Sequence, residues 1–282
     1  MMDVITAEHA GFCFGVERAV QMTMDAALSG SLPVYTLGPI VHNEEVLREM
    51  ASFGVRVVSE EELDTLPEGI LIIRAHGISE ELTEKLKKLN LDVRDATCPF
   101  VKKIHRIVET HTAEGERVIV AGDPNHPEVR GIMGWCGPDV VVLNSVEDAA
   151  NFNGSPEEKY CIVSQTTFNY KKFKIIVENI KNKGYNTTVV NTICNATKDR
   201  QEEASMLSER CGLMLVIGSP TSSNSQKLFS ICKEKCNHTY FIQTAEDLQR
   251  EWFQDVKCVG ITAGASTPKK IIKEVQTNVR KF

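Results

Sequence analysis

The chain has 282 residues, of which 42% are hydrophobic and 25% charged, and a globular chain of this length buries roughly three quarters of its unfolded surface. Lys and Arg number 32 against 38 Asp and Glu, which gives a net charge of −6 without a basic tail. This balance argues against a nucleic-acid partner, and we expect none.

The N-terminal stretch MMDVITAEHAGFCFG lacks the basic region and the long apolar core of a signal peptide. No stretch of the chain approaches about 18 uninterrupted apolar residues. We therefore expect a cytoplasmic protein that does not engage a membrane. Nine cysteines are many for such a protein, and their odd number and wide spacing do not favour a disulfide framework. Thiol chemistry or metal binding is the better prediction.

The first third of the chain contains a series of elements that recurs later. CFGVERAV, which begins at Cys13, has the pattern of a helix, the apolar strand PVYTLG then ends at Gly38, and His42 follows four residues on. SEEE at 59–62 is typical of a helix start. The apolar strand ILIIRAHG, which includes His76, closes the series.

The same order of elements follows twice more. The second series runs through CPFVKKIHRIV, RVIVAG, SVED and YCIVSQTT, and the third through CNATKDRQEEA, LMLVIG, TAED and VGITAGAS. Their leading cysteines are Cys98 and Cys194. The polar residues four positions past the strand glycines are His126 and Ser222.

Strands separated by helices of this length imply parallel α/β units. The three leading cysteines are 85 and 96 residues apart, close to a third of the chain in each case. We therefore predict an α/β fold of three small domains with parallel-type sheets, at residues 1–97, 98–193 and 194–282, in a pseudo-threefold arrangement.

The three cysteines are predicted to meet on the threefold axis. Ligands of α/β domains bind at the carboxyl ends of the strands, where turns lead into helix N-termini. Tetrahedral zinc usually takes ligands in close pairs such as C-x2-C, which Cys13, Cys98 and Cys194 lack. An iron–sulfur cluster accepts cysteines from distant loops, and three thiolates leave one iron of a central [4Fe-4S] cluster open to substrate.

The cysteines also have a structural interpretation. A single cysteine before a helix is more often a small buried hydrophobe than a ligand, and only the shared register of three favours ligands. The other six cysteines are expected to pack as hydrophobes. Cys232 and Cys236 form C-x3-C-x-H with His238, which is a weak zinc-like spacing.

Neutral polar residues follow the ends of the predicted strands. Together with helix N-termini, such donors can hold a diphosphate without Lys or Arg, at roughly 1.5–3 kcal/mol for each bond to a charged oxygen. Each residue has an alternative role as a helix cap or as a satisfied polar group. The candidates are His42, His76, His126, Thr166, Thr167, Ser222, Ser223, Asn224 and Ser266.

Glu128, in NHPEV, is the one carboxylate among these candidates. It is our candidate proton donor or relay. Its alternative role is that of a first-turn glutamate favoured by the helix dipole, and the sequence pattern leaves both roles open.

The chain resembles the 4-hydroxy-3-methylbut-2-enyl diphosphate reductase family of the non-mevalonate isoprenoid pathway. The resemblance spans the whole chain and rests on the motifs GFCFGVERAV, TLGPIVHNEEV, RAHGIS, DATCPFVKKIH, HPEVRGIMGW, SQTTF, NTICNATKDRQ, SSNSQKL and AGASTP. It implies a [4Fe-4S] oxidoreductase. The implied reaction removes the allylic hydroxyl with two electrons and two protons, giving isopentenyl and dimethylallyl diphosphates.

The resemblance also implies roles for individual residues. Glu128 with Thr166 matches the family's proton-delivery pair. Thr221 stands where the family pattern has Asn, ahead of an intact SSNS run. The implied cluster ligands are Cys13, Cys98 and Cys194, and the implied substrate shell is His42, His76, His126, Thr166, Ser222, Ser223, Asn224 and Ser266. The electron donor is expected to be a ferredoxin or flavodoxin, because no flavin or nicotinamide fingerprint is present.

Two other functions remain open at this point. A quinolinate-synthase-like enzyme also uses three α/β repeats and three cysteines, but it predicts charged carboxylate-binding groups where this chain has His, Thr, Ser and Asn. A redox or iron sensor would bind a cluster without turnover. Such a sensor often carries a DNA-binding element, and we find none in the sequence.

Overall fold

Strands and helices alternate along the chain in the computed structural model, which describes residues 2–282. The strands are β1 (Asp3–Thr6), β2 (Val34–Leu37), β3 (Arg56–Val58), β4 (Ile70–Ile73), β5 (Asp92–Asp95), β6 (Arg117–Ala121), β7 (Val141–Leu143), β8 (Lys159–Ser164), β9 (Asn186–Val189), β10 (Leu213–Ile217), β11 (Thr239–Ile242) and β12 (Cys258–Ala263). The α-helices are α1 (Phe14–Ser29), α2 (Glu44–Ser52), α3 (Glu80–Leu86), α4 (Pro99–Ala113), α5 (Pro127–Met133), α6 (Val146–Asn151), α7 (Tyr170–Asn182), α8 (Asn195–Arg210), α9 (Ser223–Lys235) and α10 (Lys269–Val279).

The strands of residues 2–282 form three four-stranded sheets, and every neighbouring pair is parallel. Two sheets have the orders β3-β2-β4-β5 and β7-β6-β8-β9, and the third repeats this order as β11-β10-β12-β1. The predicted α/β class with parallel sheets is therefore confirmed.

The third sheet is completed by a strand from the other end of the chain. Asp3–Thr6 pairs with Cys258–Ile261 of β12, in the place that β5 and β9 occupy in the other two sheets. No pattern in the sequence predicts this strand. The domain limits at 1–97, 98–193 and 194–282 stay a prediction, to which the structure adds that Asp3–Thr6 belongs with the strands of the last segment.

The chain divides into two compact units, which are described separately. The terminal unit comprises the described residues up to Glu17, Val41–Ser52 and Asn195–Phe282, and it holds the sheet of β10, β11, β12 and β1. The middle unit comprises Arg18–Ile40 and Phe53–Cys194, and it holds the other two sheets.

Helices form after all three leading cysteines, as predicted, and α4 shows why. Cys98 is its N-cap residue and Pro99 its first residue, a position where the missing N–H of proline has no cost. Val101, Ile104 and Val108 are buried on one side of the helix, at the spacing of a single apolar face.

Two of the three predicted helix-capping sequences form capping boxes in the structure, and one does not. Ser145 forms a capping box at α6, as expected. Thr244 forms one on a short 3-10 helix, Ala245–Asp247. The predicted start at 59–62 is wrong, since these residues form a turn in which Glu62 accepts from the Ser59 backbone, followed only by the 3-10 helix Leu63–Thr65. Proline at position 67 disfavours helical backbone in the preceding residue, so no α-helix extends from this turn.

His105 is a buried polar residue on the apolar side of α4. Its ring stacks on Trp135 with centroids 5.3 Å apart, and the Trp135 indole N–H donates to the Ile78 carbonyl over 2.9 Å. Burial lowers the pKa of His105 from its usual 6.5 to about 4. The folded protein therefore holds this imidazole in its neutral form at neutral pH.

The depressed pKa of His105 predicts a loss of stability in mild acid. Between pH 6.5 and about 4 the unfolded chain binds this proton and the folded chain does not, so the free energy of unfolding falls by about 3 kcal/mol as the pH drops through this window. His105→Phe keeps an aromatic ring beside Trp135 and cannot titrate. Denaturant unfolding at several pH values should show a flatter profile for this variant, whereas parallel profiles would contradict the assignment.

No helix within residues 2–282 combines the length and the apolar character that crossing a membrane requires.

Candidate active site

The three leading cysteines occupy equivalent positions in the three sheets. Each is half-buried, lies at the start of a helix, and follows the strand at the same edge of its sheet: β1, β5 or β9. Each backbone N–H donates to the carbonyl two residues past the end of the neighbouring strand. These hydrogen bonds join Cys13 to Ala265 (3.4 Å), Cys98 to Ala75 (3.0 Å) and Cys194 to Thr166 (3.2 Å). Cys13 belongs to the terminal unit, and Cys98 and Cys194 belong to the middle unit.

Two arginines on cysteine-led helices hold the loops that lead to cysteines. Arg18 of α1 donates to the carbonyls of Asp95 (3.1 Å) and Thr97 (3.3 Å), which lie just before Cys98. Its contribution was not predicted, because an arginine that binds backbone carbonyls 77 and 79 residues away leaves no local motif.

Arg200 of α8 plays the corresponding part in the loop before Cys13. It is 3% exposed and donates to the carbonyls of His9 and Gly11. Gly11 has a φ of 103°, a conformation that a residue with a Cβ rarely adopts. The carboxylate of Glu203 accepts from the backbone N–H of His9 in the same loop. The loop that ends in Cys13 is therefore fixed by two side chains of α8.

Glu128 and Thr166 form a buried pair in the middle unit. Glu128 is 2% exposed. One of its carboxylate oxygens accepts from the Thr166 backbone N–H (2.6 Å) and the other from the Thr166 hydroxyl (2.7 Å). Since Thr166 also accepts from the Cys194 backbone, this pair lies directly beside a leading cysteine. The two residues are therefore in direct contact, and their predicted role in proton delivery stays a prediction.

Two of the predicted histidines lie next to this pair. His126 is the N-cap of α5, and its Nδ1 accepts from the backbone N–H of Glu128 over 3.2 Å. A ring nitrogen that accepts carries no proton, so the proton of the neutral imidazole is on Nε2. His76, which follows β4, contacts the His126 ring edge to face with centroids 5.3 Å apart. The middle unit thus gathers His76, His126, Glu128 and Thr166.

The predicted serines gather in the terminal unit. Ser222 caps α9, and its hydroxyl accepts from the hydroxyl of Ser266 over 3.2 Å. Asn224 is 5% exposed, and its Nδ2 donor finds no acceptor among residues 2–282. Burying an unsatisfied amide is costly, so this donor is a candidate for binding an acidic ligand. The Ser223 hydroxyl accepts from the Lys227 ammonium over 2.9 Å.

The remaining two candidate residues, His42 and Thr167, lie in different units. His42, in the terminal unit, is half-buried and comes directly before Asn43, whose side chain accepts from the Val46 backbone at the start of α2. In the middle unit the Thr167 hydroxyl accepts from the Gln165 side chain over 3.0 Å, so it serves to order the turn after β8.

Ser225 was missed in the sequence, although it positions Ser222. It is fully buried and its hydroxyl donates to the Ser222 hydroxyl over 3.0 Å. A Cβ built on Gly264 would lie 1.9 Å from the Ser225 Oγ, and one on Gly218 would lie 2.2 Å from it. Both glycines are therefore required to admit this side chain. The sequence signal that could have indicated Ser225 is the glycine directly after each strand, Gly218 after β10 and Gly264 after β12.

This packing predicts the effect of a methyl group at position 264. Gly264→Ala should destabilise the protein by about 1–3 kcal/mol, because the added Cβ overlaps the hydroxyl of the fully buried Ser225. In a Ser225→Ala background the hydroxyl nearest to the added Cβ is gone, and the same change should cost clearly less. Denaturant unfolding of the four proteins measures the coupling, and strictly additive costs would contradict this contact.

Three of the other cysteines have the character of core residues. Burial raises the pKa of Cys136 and Cys161 to about 12 and that of Cys232 to about 11. Within residues 2–282, Cys232, Cys236 and His238 are not among the groups whose ligand atoms come close enough to share a metal ion. The weak zinc-like spacing is therefore not supported.

The model of the LytB protein family matches residues 4–280. The chain belongs to this family. Among its LytB relatives, a protein of Caldanaerobacter subterraneus subsp. tengcongensis is 45% identical over 281 residues, which cover 99% of this chain and 97% of that protein. One of Aquifex aeolicus is 44% identical over 286 residues, which cover 100% and 97%. Both relatives are named 4-hydroxy-3-methylbut-2-enyl diphosphate reductase.

Two solved structures are also similar to this LytB chain. One is described as (E)-4-hydroxy-3-methyl-but-2-enyl diphosphate reductase, the terminal enzyme of the non-mevalonate pathway, with 43% identity, full coverage of both chains and a TM-score of 0.72. The other is the E-1-hydroxy-2-methyl-but-2-enyl-4-diphosphate reductase of Plasmodium falciparum, with 31% identity, a TM-score of 0.90 and coverage of 99% of this chain and 87% of that one. The resemblance stated from the motifs is thereby confirmed, and the LytB family is one of reductases.

Proposed function

We propose that this chain catalyses the reductive dehydroxylation of 4-hydroxy-3-methylbut-2-enyl diphosphate to isopentenyl and dimethylallyl diphosphates, with two electrons and two protons. The observation that carries the proposal is the equivalent placement of Cys13, Cys98 and Cys194, one beside each sheet. The names of the LytB relatives support the substrate and the reductive chemistry.

The three cysteines suit a [4Fe-4S] cluster. Each half-buried thiol lies at a helix N-terminus, where the helix dipole and free N–H groups stabilise a thiolate. Three thiolates from separate loops would ligate three irons and leave the fourth for substrate. When bound, the cluster supplies electrons and a Lewis-acidic iron for cleavage of the C–O bond. A ferredoxin or flavodoxin is the proposed electron donor.

Neutral donors of the chain would bind the diphosphate. Ser222 and Ser266 present hydroxyls at the start of α9 and after β12, and the buried Asn224 amide has a donor to offer. Hydrogen bonds from neutral donors to charged oxygens are strong in a buried site, and the α9 dipole adds to them. His42, His76, His126, Ser223 and Thr166 complete the proposed shell.

Glu128 and Thr166 would deliver the proton to the departing hydroxyl. The Thr166 hydroxyl can both donate and accept, and Glu128 lies 2.7 Å from it. A proton on Glu128 can therefore pass to Thr166 as the Thr166 proton passes to the substrate oxygen. Water then leaves in place of hydroxide, which is a much poorer leaving group.

An anaerobic assay tests the proposed function. The purified protein should contain about four irons and matching sulfide per chain. A reduced dye should be oxidised only when 4-hydroxy-3-methylbut-2-enyl diphosphate is added, and both product diphosphates should appear. Iron without substrate-dependent oxidation would contradict the reaction, and failure to bind iron after reconstitution would contradict the cluster.

A further inference from the structure

Cys211 and Cys258 are adjacent thiols in the terminal unit. Cys211 comes two residues before β10, and Cys258 is the first residue of β12. The two strands are parallel neighbours, and the Gly212 N–H donates to the Cys258 carbonyl over 3.1 Å. Sheet hydrogen bonds therefore hold the two backbones side by side, and the sulfur atoms are 2.9 Å apart.

This thiol pair is separate from the candidate active site. Ser222 and Ser266 follow the carboxyl ends of β10 and β12, whereas Cys211 and Cys258 lie at the amino ends of the same strands. Neither thiol is among the three cysteines proposed to hold the cluster. No part of the proposed reaction uses them.

The two thiols differ in exposure, which assigns them different roles. Cys211 is 6% exposed, and burial raises its pKa to about 12. Cys258 is half-buried and is the more exposed residue of the two, so we assign it the first reaction with a reagent. The neighbouring Cys236 points its thiol at the Cys211 carbonyl over 3.7 Å, so it faces backbone rather than the other sulfurs.

We propose that Cys211 and Cys258 are a modification site, a dithiol that a small-molecule disulfide oxidises to an intramolecular disulfide. The Cys258 thiolate attacks the reagent's S–S bond, forms a mixed disulfide and releases one thiolate. Cys211 then loses its proton and attacks the Cys258 sulfur, which forms the protein S–S bond and releases the second thiolate. Two cysteine thiols are oxidised, and one small disulfide is reduced to two thiols.

The new bond would stabilise the terminal unit. It joins residues 47 positions apart in the chain, and a crosslink across a loop of this length removes much conformational freedom from the unfolded chain. The two sulfur atoms are already 2.9 Å apart, so only a small movement is needed to form the bond. We expect the melting temperature of the oxidised protein to rise by several degrees and to return on treatment with a dithiol.

Peptide mapping tests the proposal directly. The complete chain, purified anaerobically with its iron retained, is treated with oxidised glutathione, and the remaining thiols are alkylated before digestion with trypsin. Each of the four cysteines of this region lies on its own tryptic peptide, at residues 211–227, 228–233, 236–250 and 258–269. We expect a linked pair of 211–227 with 258–269, lighter than the two peptides by two hydrogen atoms.

Two variants sharpen the test. Cys258→Ser changes a half-buried residue and should abolish the linked pair, while Cys236→Ser, which removes the neighbouring sulfur but neither thiol of the pair, should leave it unchanged. Glutathione retained on Cys258 without a link would overturn the proposal. A link from Cys258 to residues 228–233 or 236–250 would overturn the assigned partner, and unmodified thiols at both positions would show that the pair does not exchange.

Discussion

Glu128→Gln is expected to lower turnover by about 10²–10⁴-fold while KM changes little. Glutamine has nearly the same shape, and its carbonyl oxygen can accept from the Thr166 N–H as the carboxylate does. Its amide can donate to the Thr166 hydroxyl, which rotates to accept. The pair therefore stays together, but no acidic proton is available to it. Steady-state kinetics with a reduced dye under anaerobic conditions measures both constants.

A matched control separates catalysis from helix stabilisation. Glu147 is an exposed first-turn glutamate of α6, as Glu128 is a buried one of α5. If Glu128 only stabilised its helix through the helix dipole, Glu147→Gln and Glu128→Gln would behave alike. Both variants would then lose a little stability and keep normal turnover. Turnover of Glu128→Gln within a few-fold of the unaltered enzyme would remove Glu128 from the proton path.

The Thr166 hydroxyl offers a second test of the same path. Thr166→Ser keeps the hydroxyl and should retain most of the turnover, whereas Thr166→Val should lose turnover to an extent similar to Glu128→Gln. Because the two residues act as one unit, the double variant should be little worse than either single variant. Additive losses would show that they act independently.

Cys98→Ser is expected to abolish turnover and to prevent assembly of a stable four-iron cluster. A serine oxygen is a hard ligand, and iron–sulfur clusters select soft thiolates. The fold should survive, since the backbone N–H of residue 98 still donates to the Ala75 carbonyl and a serine caps α4 at least as well as a cysteine. Iron and sulfide content, visible absorption and the melting temperature report these effects separately.

Cys136→Ser is the matched control for the cluster. Burial raises the pKa of the Cys136 thiol to about 12, so it stays protonated, and its sulfur donates to the Ile132 carbonyl over 3.3 Å, a bond that serine can keep. This variant should contain the normal amount of iron and turn over normally. Full iron content and a normal spectrum in Cys98→Ser would exclude Cys98 as a ligand.

Most of the fold was predictable because its signals are local. β10, with the sequence LMLVI, is fully buried and followed by glycine, and the glycine-ended strands β2 and β6 have the same pattern. The helices after the cysteines were predictable from their polar and apolar spacing. The residues 59–62 have a helix-capping sequence, but proline at position 67 prevents an α-helix from continuing after them. The prediction of a helix start was wrong for this reason.

The parts that escaped prediction depend on distant contacts. β1 has the sequence DVIT, too short and too exposed to be distinctive, and only its pairing with β12 makes it a strand. Arg200 binds backbone carbonyls about 190 positions away in the chain. Since every residue has a backbone carbonyl, the sequence does not reveal which ones the arginine binds. The Glu128–Thr166 pair was predictable only through its motifs, since no spacing rule relates residues that are 38 positions apart.

The pairing of β1 with β12 has a consequence for the timing of assembly. During synthesis Asp3–Thr6 leaves the ribosome well before its partner, Cys258–Ile261, has been made. The segment that leads to Cys13 is likewise held by Arg200 and Glu203, which are made late. A nascent or truncated chain can therefore complete the sheets beside Cys98 and Cys194 while the third remains open. The proposed cluster would therefore gain Cys13 as its third ligand only after β12 and α8 have been made.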